Sequence, residues 1–250
     1  MAARFCGERA AVNAPRAAVP VNAMLRARFL RRYKRFLADV ALESGEQLTV
    51  HCPDPGRMLG LLAPGAAVRC SQSNSKQRRL RHTLEMIRRG RTWVGLHPAR
   101  ANAVARAALA AEMLPALSGY RRIRPELRVG RSRFDFALQD HARGAPDALL
   151  EVKSVTLAEG RRGRFPDAPS ERARRHAEEL GAQAAQGRRA ALLFVVQRAD
   201  CDSVEAADDI DPRYAAALRK AARCGVRLYA IGARITPRQI CAERALPVLL

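Results

Sequence analysis

Short alternating runs of apolar and polar residues fill positions 25–98. Each run has the length of a β-strand, and turn-forming residues separate consecutive runs at 44–45, 53–58 and 64–65. Several short strands joined by regular turns are typical of a small β-barrel or sandwich. The pattern therefore predicts an N-terminal β domain, and the alternation places Phe36 in its core.

The second half of the chain alternates between helix-like and strand-like segments. Helices are predicted over residues 101–117, from the cap Ser170 to about 186, and from Asp211-Pro212 to about 224. Strands are predicted over residues 123–129, 132–138, 149–155, 190–197 and 226–231, the last being the final strand. Residues 160–169 are predicted to be a loop. This order predicts an α/β sheet with at least one parallel crossover.

Two consecutive strands of this set carry charged residues. In the first strand, Asp135 lies on the face opposite to the large apolar residues, Phe134, Phe136 and Leu138. In the second strand, Glu151 and Lys153 are two positions apart and therefore share a face. Neighbouring strands would bring the two carboxylates and the ammonium group to one point.

This group of charges has two interpretations. Two carboxylates suit a hard divalent cation held beside a phosphodiester. The alternative is a solvated salt bridge between Asp135 and Lys153, which would contribute little. Lys and Arg total 45, but the only lysines are Lys34, Lys76, Lys153 and Lys220. Because an ammonium group is compact and its pKa shifts readily on burial, a lysine at position 153 indicates a specific role.

The overall charge indicates a polyanionic partner. The formal net charge is +21, and the isoelectric point is about 11.3, which is typical of proteins that bind nucleic acid. The alternative is a bias towards Arg without any specific ligand. An anionic membrane fits less well, because the sequence has no basic amphipathic helix and no apolar run of membrane-spanning length.

The cysteines and the first residues indicate a cytoplasmic protein. The six cysteines are scattered without a C-x-x-C pair, which argues against a zinc ribbon and favours a reducing compartment. Residues 1–23 contain no apolar segment suited to secretion. We expect them to form a disordered extension, with Met24 as an alternative start.

The order of elements around Asp135 resembles the restriction-endonuclease-like, or PD-(D/E)xK, nuclease core. The signature of that core is an Asp, a spacer, and then (D/E)-x-K. Here the residues Glu151-Val152-Lys153 begin sixteen positions after Asp135. The placement of this motif on consecutive strands, followed by a helix, makes it more specific than its letters alone.

From about residue 25 to 240 the chain also resembles the sugar fermentation stimulation protein family. The matching stretches, in chain order, are RYKRFLADV, GRM, LSGY, GRSRFDF, EVKSV, FPD, FVVQR and DIDP. The resemblance implies DNA binding and a regulatory role in sugar (maltose) metabolism. One departure is Asp54-Pro55-Gly56, where the family usually has Asn-Thr-Gly; the change affects this turn and not the fold.

The fold class implied is α/β (α+β overall), in two domains. Residues 24–98 would form an OB-like β-barrel, and residues 99–240 would form a restriction-endonuclease-like α/β domain with a mixed central sheet. Residues 241–250 are expected to be a C-terminal tail.

The resemblance also implies a metal site. Asp135, Glu151 and the backbone carbonyl of Val152 would hold Mg²⁺ or Mn²⁺, with waters completing the shell. Lys153 would orient a bound water or neutralise a phosphate.

Two further residues are candidates for this site. Glu126 would be a third carboxylate, and the alternative is an ordinary surface glutamate. Gln197 would either reach the site or cap the end of its strand.

DNA contacts are expected from both domains. The barrel residues are Tyr33, Lys34, Arg35 and Arg57; those of the second domain are Arg131, Arg133, Arg161, Arg162, Arg164 and His176. Phosphate contacts give affinity without sequence information, and no helix-turn-helix signature occurs, so binding would be largely independent of sequence.

Two functions remain open: a nucleoid-associated DNA-binding regulator, or a metal-dependent deoxyribonuclease. The oligomeric state is also open, with a homodimer as one alternative.

Overall fold

A closed β-barrel forms the N-terminal part of the structure, a computed structural model that describes residues 17–130 and 132–250. The first strands are β1 (Ala18–Pro20), β2 (Leu25–Tyr33), β3 (Leu37–Leu42), β4 (Gln47–His51), β5 (Ala67–Gln72), β6 (His82–Arg89) and β7 (Thr92–Gly95). Strands β2 to β7 form one sheet in the order β4-β3-β2-β5-β6-β7. A parallel contact between His51 and Thr83 joins β4 to β6 and closes five strands into a barrel. The predicted barrel is confirmed.

Alternation along these strands builds the barrel core. Phe29, Val40, Val68 and Leu84 point inward and are fully buried against one another. Burial of one face of each strand stabilises the barrel through the hydrophobic effect and leaves the other face to polar residues. The outer face is therefore available for Arg and Lys side chains.

The second domain contains a seven-stranded mixed sheet. Its elements, in chain order, are α1 (Pro98–Ala110), a 3-10 turn (Pro115–Leu117), β8 (Tyr120–Val129), β9 (Ser132–His141), β10 (Ala148–Val155), β11 (Leu157–Glu159), β12 (Arg162–Phe165), α2 (Glu171–Ala185), β13 (Arg189–Val196), β14 (Ser203–Ala206), α3 (Pro212–Arg223), β15 (Arg227–Ile235), β16 (Gln239–Leu246) and β17 (Val248–Leu249). The sheet order is β1-β16-β15-β13-β10-β9-β8. β10, β13 and β15 run parallel and the other pairs are antiparallel. The predicted mixed α/β sheet is thus confirmed.

Helices cover both faces of the large sheet. Val104 of α1 packs in one cluster with Leu193, and Leu180 of α2 and Leu218 of α3 pack in the other cluster with Leu192. β13 is buried on both faces because a parallel strand between two helix layers has no solvent side. This explains its continuous apolar sequence. Within the described residues, no helix is long and apolar enough to cross a membrane.

Both ends of the described chain contribute strands, which corrects two expectations. The disordered extension expected for residues 1–23 is wrong for its last part, because β1 pairs with β16 and Ala17 and Val21 are buried beside α1; residues 1–16 lie outside the described residues. The C-terminal tail expected for 241–250 is also wrong, because β16 pairs with β15 and β17 pairs with β14. Strand 226–231 is therefore not the final one.

The predicted loop at 160–169 contains a hairpin, so that expectation is wrong for its first half. β11 and β12 turn at Gly160 and join a second sheet in the order β11-β12-β14-β17. The sequence of β12, Arg-Gly-Arg-Phe, lacks the apolar alternation of a strand. Its arginines instead pair with acidic residues on and after the neighbouring strand β14: Arg162 with Glu205, and Arg164 with Glu205 and Asp209.

The two long crossover helices begin at side-chain caps, as the sequence predicted. Ser170 Oγ accepts from Ala173 N at 3.1 Å. Asp211 is buried, and its Oδ1 accepts from Tyr214 N at 2.9 Å. Its other oxygen accepts from Ser170 N at 2.8 Å and so links the starts of both helices.

Substitution of this shared cap should destabilise the second domain. Asp211→Ala leaves two backbone donors unpaired, and we expect a loss of about 1–3 kcal/mol in the free energy of unfolding. The control is Asp208→Ala, which removes an exposed ion pair with Arg219 and should cost less than about 1 kcal/mol. Urea unfolding measures both variants. Equal losses would show that the cap contributes no more than a surface charge.

Candidate metal centre in the interdomain cleft

The strands β9 and β10 separate at the point where the charged residues lie. Their backbone pairing ends at Leu150 and Phe136. One residue further, Asp135 Oδ2 accepts from the backbone N–H of Val152 at 2.8 Å. A side chain thus replaces the next ladder hydrogen bond, and the strands open into a cleft. Asn102 of α1 donates to Asp135 Oδ1 at 2.8 Å and fixes the carboxylate from the other side.

This opening breaks the predicted alternation of β9. Phe136 and Leu138 pack in the cluster under α1, whereas Phe134 packs with α2 on the opposite face. The expectation that all three share one face is therefore wrong. The pairing of β9 with β10 ends at Phe136. The alternation of side chains between the two faces of the sheet is therefore interrupted at Asp135.

Glu151 and Lys153 share a face, as period two predicts, and form a buried ion pair. Lys153 Nζ donates to Glu151 Oε1 at 2.7 Å. His176 Nδ1, on α2, lies within hydrogen-bond distance of the same oxygen. The three residues are 3%, 8% and 3% exposed for Glu151, Lys153 and His176. The alternative of a solvated salt bridge between Asp135 and Lys153 is not the arrangement found.

The electrostatics of the two carboxylates differ. Burial disfavours the charged form of Glu151, but Lys153 and His176 outweigh burial and lower its pKa. For Asp135, burial and then the negative charge of Glu151 raise the pKa, against the opposing effect of the Val152 N–H. The carboxylates of Asp135 and Glu151 therefore repel each other, and a cation between them would relieve this repulsion.

An unpartnered oxygen supports the fit of a cation. Glu151 Oε2 is buried and accepts no hydrogen bond, although a buried carboxylate oxygen normally has a partner. Magnesium and manganese take oxygen ligands and retain several waters. No group of three or more His, Cys, Asp and Glu side chains in the described part of the chain is placed to hold a metal. Water and phosphate oxygens would thus complete the shell around Asp135 and Glu151. Val152 lines the cleft, and its carbonyl as a ligand stays a prediction.

The cleft lies between the two domains and measures about 380 Å³. Asp135, Glu151 and Lys153 line it together with Arg164 and Arg172 of the second domain and Arg35 of the barrel. Two carboxylates and three arginines thus line the same cleft. This combination suits a phosphodiester group bound beside a metal ion.

One wall of the cleft is a contact between the barrel and the second domain. Met58 N donates to Asp167 Oδ2 at 2.7 Å. Gly56 lies so close that an added Cβ would come within 2.1 Å of Asp167 Oδ1. Asp54 caps the same turn, with its Oδ1 accepting from Gly56 N at 2.8 Å. Burial, together with the charge of Asp167, raises the pKa of Asp54 to about 6.

Three predicted site residues differ from expectation in position or in role. Glu126 is an exposed residue near Arg133 and does not line the cleft. Gln197 is buried at the domain junction, where its Nε2 donates to Ser154 Oγ at 2.7 Å, so it supports a cleft residue without reaching the carboxylates. His176 is buried beneath Glu151, and a buried imidazole cannot contact DNA phosphate.

The predicted DNA-binding arginines of the second domain have acidic partners wherever the structure describes them; that of Arg133 is Glu126, at 3.7 Å. Arg161 and Arg162 pair with Asp202 and Glu205 on the surface, and Arg164 pairs with Asp209 while it lines the cleft. The DNA contacts expected for Arg161 and Arg162 therefore compete with these carboxylates. Arg131 lies outside the described residues, and Arg133 is exposed.

The predicted barrel residues surround a second groove beside the cleft. Tyr33, Arg35 and Arg57 line it, and Lys34 is exposed at the adjacent turn. Phe36 is 41% exposed, so its expected place in the core is wrong. It follows the turn at Lys34 and Arg35, where both residues have positive φ, and alternation does not continue through such a turn.

Three contributors to the site were missed from the sequence. Asn102 lies on a helix whose sequence gives no sign of a polar contact. Arg172 begins α2 close to the predicted cap. Asp167 belongs to the matched stretch FPD, which was the available signal for its contact with the barrel.

Comparisons with known proteins match both domains. The model of the SfsA N-terminal OB domain matches residues 30–96, and the model of the sugar fermentation stimulation protein RE domain matches residues 99–239. A sugar fermentation stimulation protein homolog of Alkalilimnicola ehrlichii is 48% identical, over 88% of this chain and 94% of that protein. One of Rhodospirillum centenum is 45% identical, over 89% and 96%. The solved structure of Pyrococcus furiosus SfsA in complex with Ca²⁺ has a TM-score of 0.85 and 27% identity, over 93% of this chain and 98% of that one.

Removal of the charge of Asp54 should stabilise the protein in a pH-dependent way. Asp54 keeps its proton to about pH 6 in the folded state and loses it near pH 4 in the unfolded chain. Its raised pKa therefore lowers stability as pH rises through this window. We expect Asp54→Asn to gain about 1–3 kcal/mol at about pH 8 and nothing below about pH 4.

Urea unfolding at both pH values checks this expectation. Asp140→Asn, at an exposed carboxylate, is the control and should change stability by less than about 0.5 kcal/mol at either pH. A gain for Asp54→Asn that is the same at both pH values would mean that the charge of Asp54 is not its source.

Proposed function

The chain belongs to the sugar fermentation stimulation protein family, and from this premise we propose that it binds DNA without sequence preference and holds a divalent cation at Asp135 and Glu151. The observation that carries the proposal is the buried Glu151 Oε2, which has no hydrogen-bond partner, in a cleft that Asp135 and three arginines also line. The relative from Pyrococcus furiosus was solved in complex with Ca²⁺, which supports a site for a hard cation. Mg²⁺ or Mn²⁺ is the expected ion here.

The affinity for DNA would come from charge distributed over both domains. A net charge of +21 provides many phosphate contacts, and such contacts carry no sequence information.

The family name supports a regulatory role in sugar metabolism. We place the protein in the cytoplasm, in association with the nucleoid; a homodimer and a monomer are both compatible with this proposal.

A second candidate is a metal-dependent deoxyribonuclease, and the buried Lys153 favours it. When bound at this site, a divalent cation lowers the pKa of a coordinated water and offsets the charge of a phosphate. Lys153 neutralises Glu151 within the cleft and would orient that water or neutralise the phosphate. Arg35 and Arg172 would hold the phosphate in place.

DNA binding and cleavage can be tested together with one labelled DNA. We expect anisotropy to show binding that weakens by roughly a hundredfold or more between 50 and 200 mM salt, because each phosphate contact releases a counterion. Random-sequence DNAs should bind within about threefold of one another, since phosphate contacts do not read the bases. No binding at moderate salt would overturn the proposed function.

The same DNA, incubated with Mg²⁺, Mn²⁺ or EDTA, decides between the two candidates. Asp135→Asn keeps a hydrogen-bond acceptor for Val152 and removes one negative ligand. Metal-dependent cutting that this variant abolishes would establish the nuclease. Asp140→Asn, at an exposed carboxylate, is the control because it changes the net charge in the same sense. Binding without cutting under any metal would leave the DNA-binding protein.

His176 is expected to act as a positioning residue for Glu151. Its Nδ1 engages Oε1, which leaves Oε2 without a partner and available as a ligand to a cation. Calorimetry with Ca²⁺ should show that His176→Ala binds the ion about ten- to a hundredfold more weakly, as removal of such outer partners does. His176→Asn retains a donor near Nδ1 and should recover part of the affinity.

The control for this measurement is His82→Asn in the barrel, which should bind Ca²⁺ like the unchanged protein. DNA affinity in EDTA should also stay the same in His176→Ala and His176→Asn, because His176 is buried, and in the control His82→Asn. A Ca²⁺ affinity unaltered in His176→Ala would rule out the positioning role.

A further inference from the structure

Among the described residues, one exposed aromatic side chain, Phe36, lies beside Arg35, which lines the cleft. Resting on the proposed function, we propose that Phe36 stacks on a base of single-stranded DNA, and that Arg35 beside it guides the strand towards Asp135 and Glu151. This assigns a substrate class to the site and a role to a residue that the sequence pattern placed in the core.

The exposure of Phe36 is unusual among the described residues. Of the large hydrophobic side chains that are exposed there, it is the only aromatic one; the others are Met24, Leu59, Leu249 and Leu250. An exposed phenyl ring leaves apolar surface in water, and a ring beside cations has the chemistry to stack on a base.

The turn that presents the ring is conformationally demanding. Lys34 and Arg35 have φ values of +45° and +62°, a region that residues with a side chain seldom adopt. Two basic residues in succession occupy positions where glycine or asparagine would be less strained. A tight β-hairpin turn such as this one, between β2 and β3, requires positive φ values, and the turn carries Phe36 and two cations at the same tip.

Arg35 connects the ring to the cleft. Its guanidinium carbon lies 5.4 Å from the centroid of the Phe36 ring, and its Nε donates to the Pro55 carbonyl at 2.9 Å. The side chain is therefore fixed between the exposed ring and the wall of the cleft. Arg35, Pro55 and Gly56 line both the cleft and the second groove, so the two depressions adjoin.

The charges along this path are available to phosphate. Among the described residues, Lys34, Arg35 and Arg57 form no ion pair, whereas Arg161 and Arg164 on the second domain do. Exposed, unpaired cations next to a ring form the combination with which proteins bind single strands: the cations follow the backbone, and the ring stacks on a base.

Geometry favours a single strand over a duplex. In a duplex the faces of the bases are covered by their neighbours, so a protein ring has no base to stack on. The contact between Met58 and Asp167 closes one side of the cleft, and Glu151 is only 3% exposed. A cleft of about 380 Å³ accommodates a nucleotide but not a double helix.

The experiment compares a fluorescein-labelled 20-mer as single strand and as blunt duplex, by anisotropy at one salt concentration in EDTA. We expect Phe36→Ala to weaken single-strand binding roughly five- to a hundredfold, as loss of one stacked base does. Duplex binding should change less than about twofold, because it rests on charge. Leu249→Ala, at an equally exposed residue of β17, is the matched control and should change neither.

A second variant keeps the ring and reports on it directly. Phe36→Trp should bind the single strand like the unchanged protein, and its added tryptophan fluorescence should be quenched by the single strand and not by the duplex. Unchanged single-strand affinity in Phe36→Ala, or equal losses for both DNAs, would overturn this inference while DNA binding stands. No binding of either DNA by the unchanged protein would instead refute the proposed function.

Discussion

The buried carboxylate of Glu151 is the constraint on which the site depends. An ionised carboxylate inside a protein requires a close positive partner and hydrogen bonds. Lys153, two residues along the same strand, supplies the charge, and His176 supplies a contact from α2. Both partners engage Oε1, so Oε2 has no hydrogen-bond partner. The chemistry proposed for the site follows from this asymmetry.

The barrel completes the cleft that the second domain opens. The turn at Asp54 and Gly56 meets Asp167 with no room for a side chain at position 56. At the other end of the junction, Gly95 donates its N–H to the Gln197 carbonyl at 2.9 Å, and an added Cβ there would come within 2.7 Å of Gln197 Oε1. Two close backbone approaches hold the domains together, which places Arg35 beside the carboxylates of the other domain.

The sequence predicted the parts of this site that depend on local rules. Period two places Glu151 and Lys153 on one face, and the caps Ser170 and Asp211 mark where their helices begin. The contacts of Glu151 with His176 and of Met58 with Asp167 join distant segments, and local pattern carries no information about them. The strained turn at Lys34 and Arg35 reversed the expected burial of Phe36. Strand β12 was missed because its sequence has no apolar alternation. Ion pairs of its arginines stabilise the strand instead.

The central claim is a cation site between Asp135 and Glu151, and anomalous diffraction from crystals soaked in Mn²⁺ tests it most directly. The account predicts one anomalous peak in the cleft, at about 2.1 Å from an oxygen of each carboxylate, which disappears when Mn²⁺ is replaced by EDTA. A cleft without a peak, or a peak bound only by other residues, would contradict it.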